Sequence, residues 1–145
     1  MTPSRLPYTS EHHSLLVVLL VEDDPFVREA TSRTLEKGGF EVVTAGDAHE
    51  AMTLYQKRQG KIDLLMTDMR LPGKDGRQLS QDIRAASTEI PVLMTSGYVE
   101  NDSDREPREP KTYFLPKPYS REELFQSMEK IFGVAVGRSA ATQGS

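Results

Sequence analysis

Seven consecutive aliphatic residues, positions 15–21, run without a break into Glu22-Asp23-Asp24-Pro25, and that junction restricts the fold more than any other feature of the chain. The run is far short of the ~20 apolar residues that span a bilayer. It also lacks the small-residue cleavage site of a secretory signal. An aliphatic segment of strand length with no polar alternation is what a central parallel strand, covered on both faces, requires. Asp24 and Pro25 then supply an N-cap and a first-turn proline, so the strand passes at once into a helix. The rest of the chain repeats that unit, which is the pattern of an α/β fold.

The first helix is expected to bury Phe26, Val27, Ala30 and Leu35 and to stop at Gly38 or Gly39. Residues 40–45 read as a second strand. Asp47 caps a helix with Ala48, Ala51, Met52 and Tyr55 at helical spacing, and residues 62–67 form a third strand that ends at Asp68. Residues 69–76, with Pro72, Gly73 and Gly76, read as a loop before a helix carrying Leu79, Ile83 and Ala86. Residues 92–95 and 113–115 are the fourth and fifth strands, and Ser120 with Glu123 makes a capping box for a last helix bearing Leu124, Met128, Ile131 and Phe132. Five strands and four clear helices predict a doubly wound parallel sheet in one domain, residues 15–132, between flexible tails at 1–14 and 133–145.

Charge and composition exclude several functions. Eighteen basic against 22 acidic residues give a net charge of −4, which offers no footprint for a nucleic-acid backbone or an anionic membrane. The absence of cysteine removes thiolate metal sites and cysteine nucleophiles and agrees with a reducing cytoplasm. His12, His13 and His49 have no metal-ligand spacing with other candidates.

Chemistry therefore falls to the strand ends, where the crevice of an open α/β sheet lies. Strand one ends in Glu22 and Asp23, strand three in Asp68 and strand four in Ser96, while Lys117 follows the fifth strand directly. Each has a plain structural reading: helix cap, turn former, surface lysine. Asp24 already meets the need for a cap, however, and acids gathered at neighbouring strand ends repel one another unless a cation or Lys117 compensates. Hard oxygen ligands in that number suit Mg²⁺.

Four motifs carry a resemblance: Leu-Leu-Val-Glu22-Asp23-Asp24-Pro25; Leu-Leu-Met-Thr-Asp68 followed by Leu71-Pro72-Gly73-Lys74-Asp75-Gly76; Pro91-Val-Leu-Met-Thr-Ser96-Gly97; and Phe114-Leu-Pro-Lys117-Pro118. In this order and spacing the chain resembles the receiver domain of two-component response regulators over residues 15–132. The resemblance implies a flavodoxin-like sheet of strand order 2-1-3-4-5 and a phosphoacceptor at Asp68. It implies Mg²⁺ held by Asp23 directly, by Glu22 through water, by Asp68 and by the backbone carbonyl of Arg70. It further implies Lys117 and Ser96 on phosphoryl oxygens, an aromatic switch at Phe114 and a cis peptide bond between Lys117 and Pro118. A histidine kinase or histidine phosphotransfer protein would be the phosphodonor, and an unidentified downstream protein the reader. Such a chain phosphorylates and dephosphorylates only itself and is no turnover enzyme.

Phe114 and the segment 98–112 depart from the family pattern. Phe114 lacks the hydroxyl many receivers have there, and it reads equally as core. Thr95 adjoins Ser96, but alternation lets only one of them face the site, and the family pattern favours Ser96. Residues 98–112 hold one aliphatic side chain, Val99, beside Pro107, Pro110 and many charges, so the fourth helix of a receiver is expected to be reduced or irregular. Thirteen residues follow Phe132, which predicts output through another protein, and the start at Met1 favours a free-standing regulator over an excerpt of a hybrid kinase. A haloacid-dehalogenase-type phosphatase would want a second aspartate where Arg70 stands. A flavodoxin would want a phosphate loop where Glu22-Asp23-Asp24 stands. A degenerate receiver used for docking has no need of the complete residue set.

Overall fold

The computed structural model describes residues 15–97 and 109–133. The chain runs β1 (Val17–Val21), α1 (Pro25–Lys37), β2 (Glu41–Ala45), α2 (Ala48–Lys57), β3 (Leu64–Asp68), α3 (Gly76–Arg84), β4 (Val92–Ser96), β5 (Thr112–Pro116), α4 (Arg121–Phe132). The strands form one parallel sheet in the order β2-β1-β3-β4-β5. The α/β class and the strand order are those expected. The chain leaves β1 toward β2 on one side and returns to β3 on the other, so the carboxyl ends of β1 and β3 flank the point where strand order reverses.

Alternation along the strands divides the core in two. Val17, Leu19 and Val21 of β1, with Leu65, Val92 and Met94, meet Ala48, Ala51 and Tyr55 of α2 and Leu79 and Ile83 of α3. Val18 and Leu20, with Leu64, Met66, Leu93 and Leu115, meet Leu35 of α1 and Leu124 and Met128 of α4. Both faces are covered, which is why β1, β3 and β4 are buried at every position and why their sequences are aliphatic almost throughout. Each fully buried Leu or Met contributes about 1.5–3 kcal/mol.

The helix starts follow the sequence. Asp24 accepts from Phe26 and Val27 N–H, Asp47 from Glu50 N–H, and Ser120 with Glu123 forms the reciprocal capping box. Asp75, within the loop expected at residues 69–76, caps α3 through Gln78 N–H at 2.9 Å.

Two helix faces differ from expectation. Helix α1 buries Thr31 and Leu35 and leaves Phe26 85% exposed and Ala30 exposed. The inward stripe is Val27, Thr31, Leu35, at four-residue spacing. Hydrophobicity alone passed over Thr31, whose hydroxyl is satisfied by the Tyr119 hydroxyl at 2.9 Å. Helix α3 ends at Arg84, because Ala86 N–H reaches back only three residues to Ile83 O, so Ala86 lies outside it and exposed.

The start of β5 is tied down by Arg84. Its guanidinium donates to Ile90 O, Lys111 O and the Thr112 hydroxyl, joining the end of α3 to the residues that lead into β4 and β5. Of residues 98–112, where a reduced or irregular fourth helix was expected, 98–108 lie outside the described residues, as do both tails up to 14 and from 134.

Candidate functional site: an acidic cluster with a bridging lysine

The carboxyl ends of β1, β3 and β5 bring four charged side chains together. Glu22 (3% exposed) follows β1, Asp68 (8% exposed) closes β3, and Asp23 is exposed beside them. One carboxylate oxygen from each of the three lies within 4.8 Å of the others. Lys117 reaches in from the end of β5, where its N–H donates to Ser96 O at 2.9 Å. Its ammonium bonds Glu22 Oε1 at 2.6 Å and Asp68 Oδ2 at 3.0 Å.

Glu22 and Asp68 also make local backbone contacts. The second oxygen of Asp68, Oδ1, accepts Arg70 N–H at 3.2 Å, so Asp68 does form a turn; the same residue also faces two other carboxylates and an ammonium. Glu22 Oε2 accepts Asp24 N–H at 3.1 Å. Among the described residues no hydrogen bond or ion pair engages the Asp23 carboxylate. Three carboxylates and one ammonium leave two negative charges in a partly buried crevice, which favours a divalent cation. All three carboxylates are hard oxygen donors, so the set fits Mg²⁺ and offers nothing to a soft metal.

Burial pulls the Lys117 ammonium down, but hydrogen bonds and Coulomb attraction from Glu22 and Asp68 outweigh it and raise its pKa above the usual lysine value. Lys117 is therefore a fixed positive charge at neutral pH, and the Lys117–Pro118 peptide bond is cis. Ser96 is the last residue of β4 and 6% exposed; Thr95 is also buried. Arg70 is exposed at the turn after β3. Phe114, half-buried on β5, packs against the core on the α2–α3 side with the Arg77 guanidinium 5.6 Å from its ring centroid.

Glycine is required at one point of the site. A Cβ on Gly76 would stand 2.3 Å from Asp68 O and 3.1 Å from Met69 Cα, so the start of α3 packs directly on the backbone of the β3 terminus. Gly76 N–H also bonds Met69 O at 3.0 Å. Sequence reasoning did not find this approach, nor the bond of Arg28 to Glu22 O, nor Arg77 over Phe114. An arginine six residues after an acid is too common on helices to signal such a contact.

A parallel 2-1-3-4-5 sheet with an acidic cluster and a lysine at its carboxyl edge defines a class of phosphoacceptor signalling domain. The chain belongs to the response regulator receiver domain family of two-component signalling, whose sequence model matches residues 18–129. It is 33% identical over 115 residues to the sensor kinase CckA of Brucella abortus (strain 2308), an alignment covering 79% of this chain and 12% of that kinase. Among solved structures it is similar to the receiver domain of the hybrid histidine kinase CckA (34% identity, TM-score 0.69, 79% of this chain and 97% of that one). It is also similar to the chemotaxis protein CheY4 of Vibrio cholerae (28% identity, TM-score 0.73, 81% and 99%). The chain spans half or less of the length of the first curated relatives it matches. Among the described residues no helix is long and apolar enough to cross a membrane.

Proposed function

We propose that the protein is a phosphorylation-controlled switch of the cytoplasm that takes a phosphoryl group from a histidine kinase or histidine phosphotransfer protein onto Asp68. The signal then passes by protein–protein contact or by onward phosphotransfer. The observation that carries this reading is the Asp68 carboxylate itself, held against Glu22 and Asp23 with the Lys117 ammonium on its Oδ2.

In this reading an oxygen of Asp68 attacks the phosphorus of a phosphohistidine, the P–N bond breaks, and its electron pair leaves on the imidazole nitrogen, which takes a proton. Asp23 and Asp68 would hold Mg²⁺ directly, Glu22 through water, and the Arg70 backbone carbonyl would complete the protein ligands. Bound Mg²⁺ supplies positive charge to the phosphoryl oxygens as they crowd the acids. Lys117, released from part of its pairing with Asp68, would neutralise one phosphoryl oxygen, and the Ser96 hydroxyl would donate to another. Phe114, lacking a hydroxyl, would respond by packing alone.

The test is a titration with beryllofluoride and Mg²⁺ followed by NMR. With Mg²⁺ already present, resonances of Ser96 and Lys117 should shift on addition of beryllofluoride in the wild type and stay unmoved in Asp68→Asn. A wild type indifferent to the titrant counts against the assignment.

A second expectation concerns the metal alone. Mg²⁺ at ten times its dissociation constant should stabilise the fold by about 1.4 kcal/mol, a rise of a few degrees in Tm for a domain of this size. Asp23→Ala should remove most of that gain. A Tm unaffected by millimolar Mg²⁺ in the wild type would contradict the site.

A further inference from the structure

Glu22 is held through all of its polar groups. Its N–H donates to Ala45 O at 3.0 Å, Oε1 takes Lys117 and Oε2 takes the Asp24 N–H. Its carbonyl accepts a 2.8 Å bond from Arg28 Nη1. That last bond has no part in the phosphoryl-transfer reading. We propose that Arg28 is a positioning residue for the acid pair: by holding the Glu22 carbonyl, its guanidinium fixes the Glu22–Asp23 peptide and so aims the Asp23 carboxylate across the site.

Asp23 needs such help more than its neighbours. The Glu22 and Asp68 carboxylates are oriented by Lys117 and by backbone N–H groups, whereas the Asp23 carboxylate has no partner among the described residues. Its direction is inherited from the backbone on either side. On the far side Asp24 is fixed by capping α1. On the near side the Glu22 carbonyl is gripped from α1 by a charge-assisted bond, about twice as strong as a neutral one. One helix thus holds the acid pair from both ends.

The guanidinium has room because residue 46 is glycine. A Cβ there would stand 3.1 Å from Arg28 Nη1, and Gly46 N–H is turned to Glu50 Oε1 at 2.8 Å.

Arg28 is a cation beside a cation site, so by charge alone it weakens metal binding. If charge were its whole contribution, its removal would tighten Mg²⁺; positioning requires the opposite sign. The inference rests on the reading of Glu22, Asp23 and Asp68 as the Mg²⁺ site.

The experiment is an NMR titration of the full chain with MgCl₂ for the wild type, Arg28→Met, Arg28→Lys, Arg33→Met and Asp23→Asn. Amide exchange of Asp24 is measured beforehand without metal. Arg33 lies on the same helix, exposed and paired with Glu29, and reports the loss of charge without loss of the carbonyl contact. Arg28→Met should bind Mg²⁺ about 10-fold more weakly, the usual effect of losing a group that orients a ligand. Arg28→Lys, with one donor and the charge kept, should fall between it and the wild type, and Arg33→Met should match the wild type. Asp24 exchange should accelerate in metal-free Arg28→Met. Binding in Arg28→Met as tight as the wild type or tighter overturns the proposal. Should the wild type bind no Mg²⁺, the metal reading fails by itself. The hold of Arg28 on the acid pair is then decided by the metal-free exchange, and an unchanged Asp24 rate overturns it.

Discussion

Lys117→Met is expected to cost the metal-free protein about 3 kcal/mol at neutral pH, because breaking a buried ion pair from one side strands the remaining charges. Lys117 is the only side-chain cation bonded to both Glu22 and Asp68 among the described residues, and their side chains are 4% and 11% exposed. Without it, three carboxylates share one crevice. A methionine keeps the volume of the stem, so the loss reports charge more than packing. Mg²⁺ should return much of the lost stability, since a dication can neutralise the same oxygens, and the variant should depend on Mg²⁺ more steeply than the wild type. Denaturant titrations with and without Mg²⁺ measure both effects. A metal-free Lys117→Met as stable as the wild type would show that the acids do not need the ammonium.

Gly76→Ala is expected to destabilise the fold by about 3 kcal/mol, at the upper end of what overpacking costs. The added methyl would meet Asp68 O at 2.3 Å and Met69 Cα at 3.1 Å. Both are backbone atoms of the β3 terminus, so no side chain can swing away. Either α3 shifts, straining the Asp75 cap and the Gly76–Met69 bond, or Asp68 is displaced from Lys117. The variant should therefore lose phosphoacceptor activity along with stability. Gly97→Ala is the control: among the described residues nothing lies within 4 Å of a Cβ there, and the change should stay within about 0.5 kcal/mol. Equal denaturation midpoints for the two variants would contradict the packing argument.

The strand ends were legible because parallel strands buried on both faces leave long aliphatic runs, so the polar residue that ends each run marks the sheet's carboxyl edge. On that basis the sequence alone brings Glu22, Asp68 and Lys117 to one edge. Contacts made by backbone atoms were not legible. Gly76 on Asp68 O depends on how closely the start of α3 approaches the end of β3, and Arg28 on Glu22 O on an α1 side chain turning back to the end of β1, and no residue type announces either. The face of α1 was misjudged for a different reason: Thr31 is buried because Tyr119, 88 residues away, supplies its hydrogen bond, while Phe26, the most apolar residue of that helix turn, is left in solvent.

The central claim, that Asp68 takes the phosphoryl group, is tested most directly by intact mass after incubation with acetyl phosphate and Mg²⁺. The wild type should gain the mass of one phosphoryl group and Asp68→Asn none. Equal labelling of the two proteins, or a wild type that stays unmodified while Mg²⁺ is bound, would contradict it.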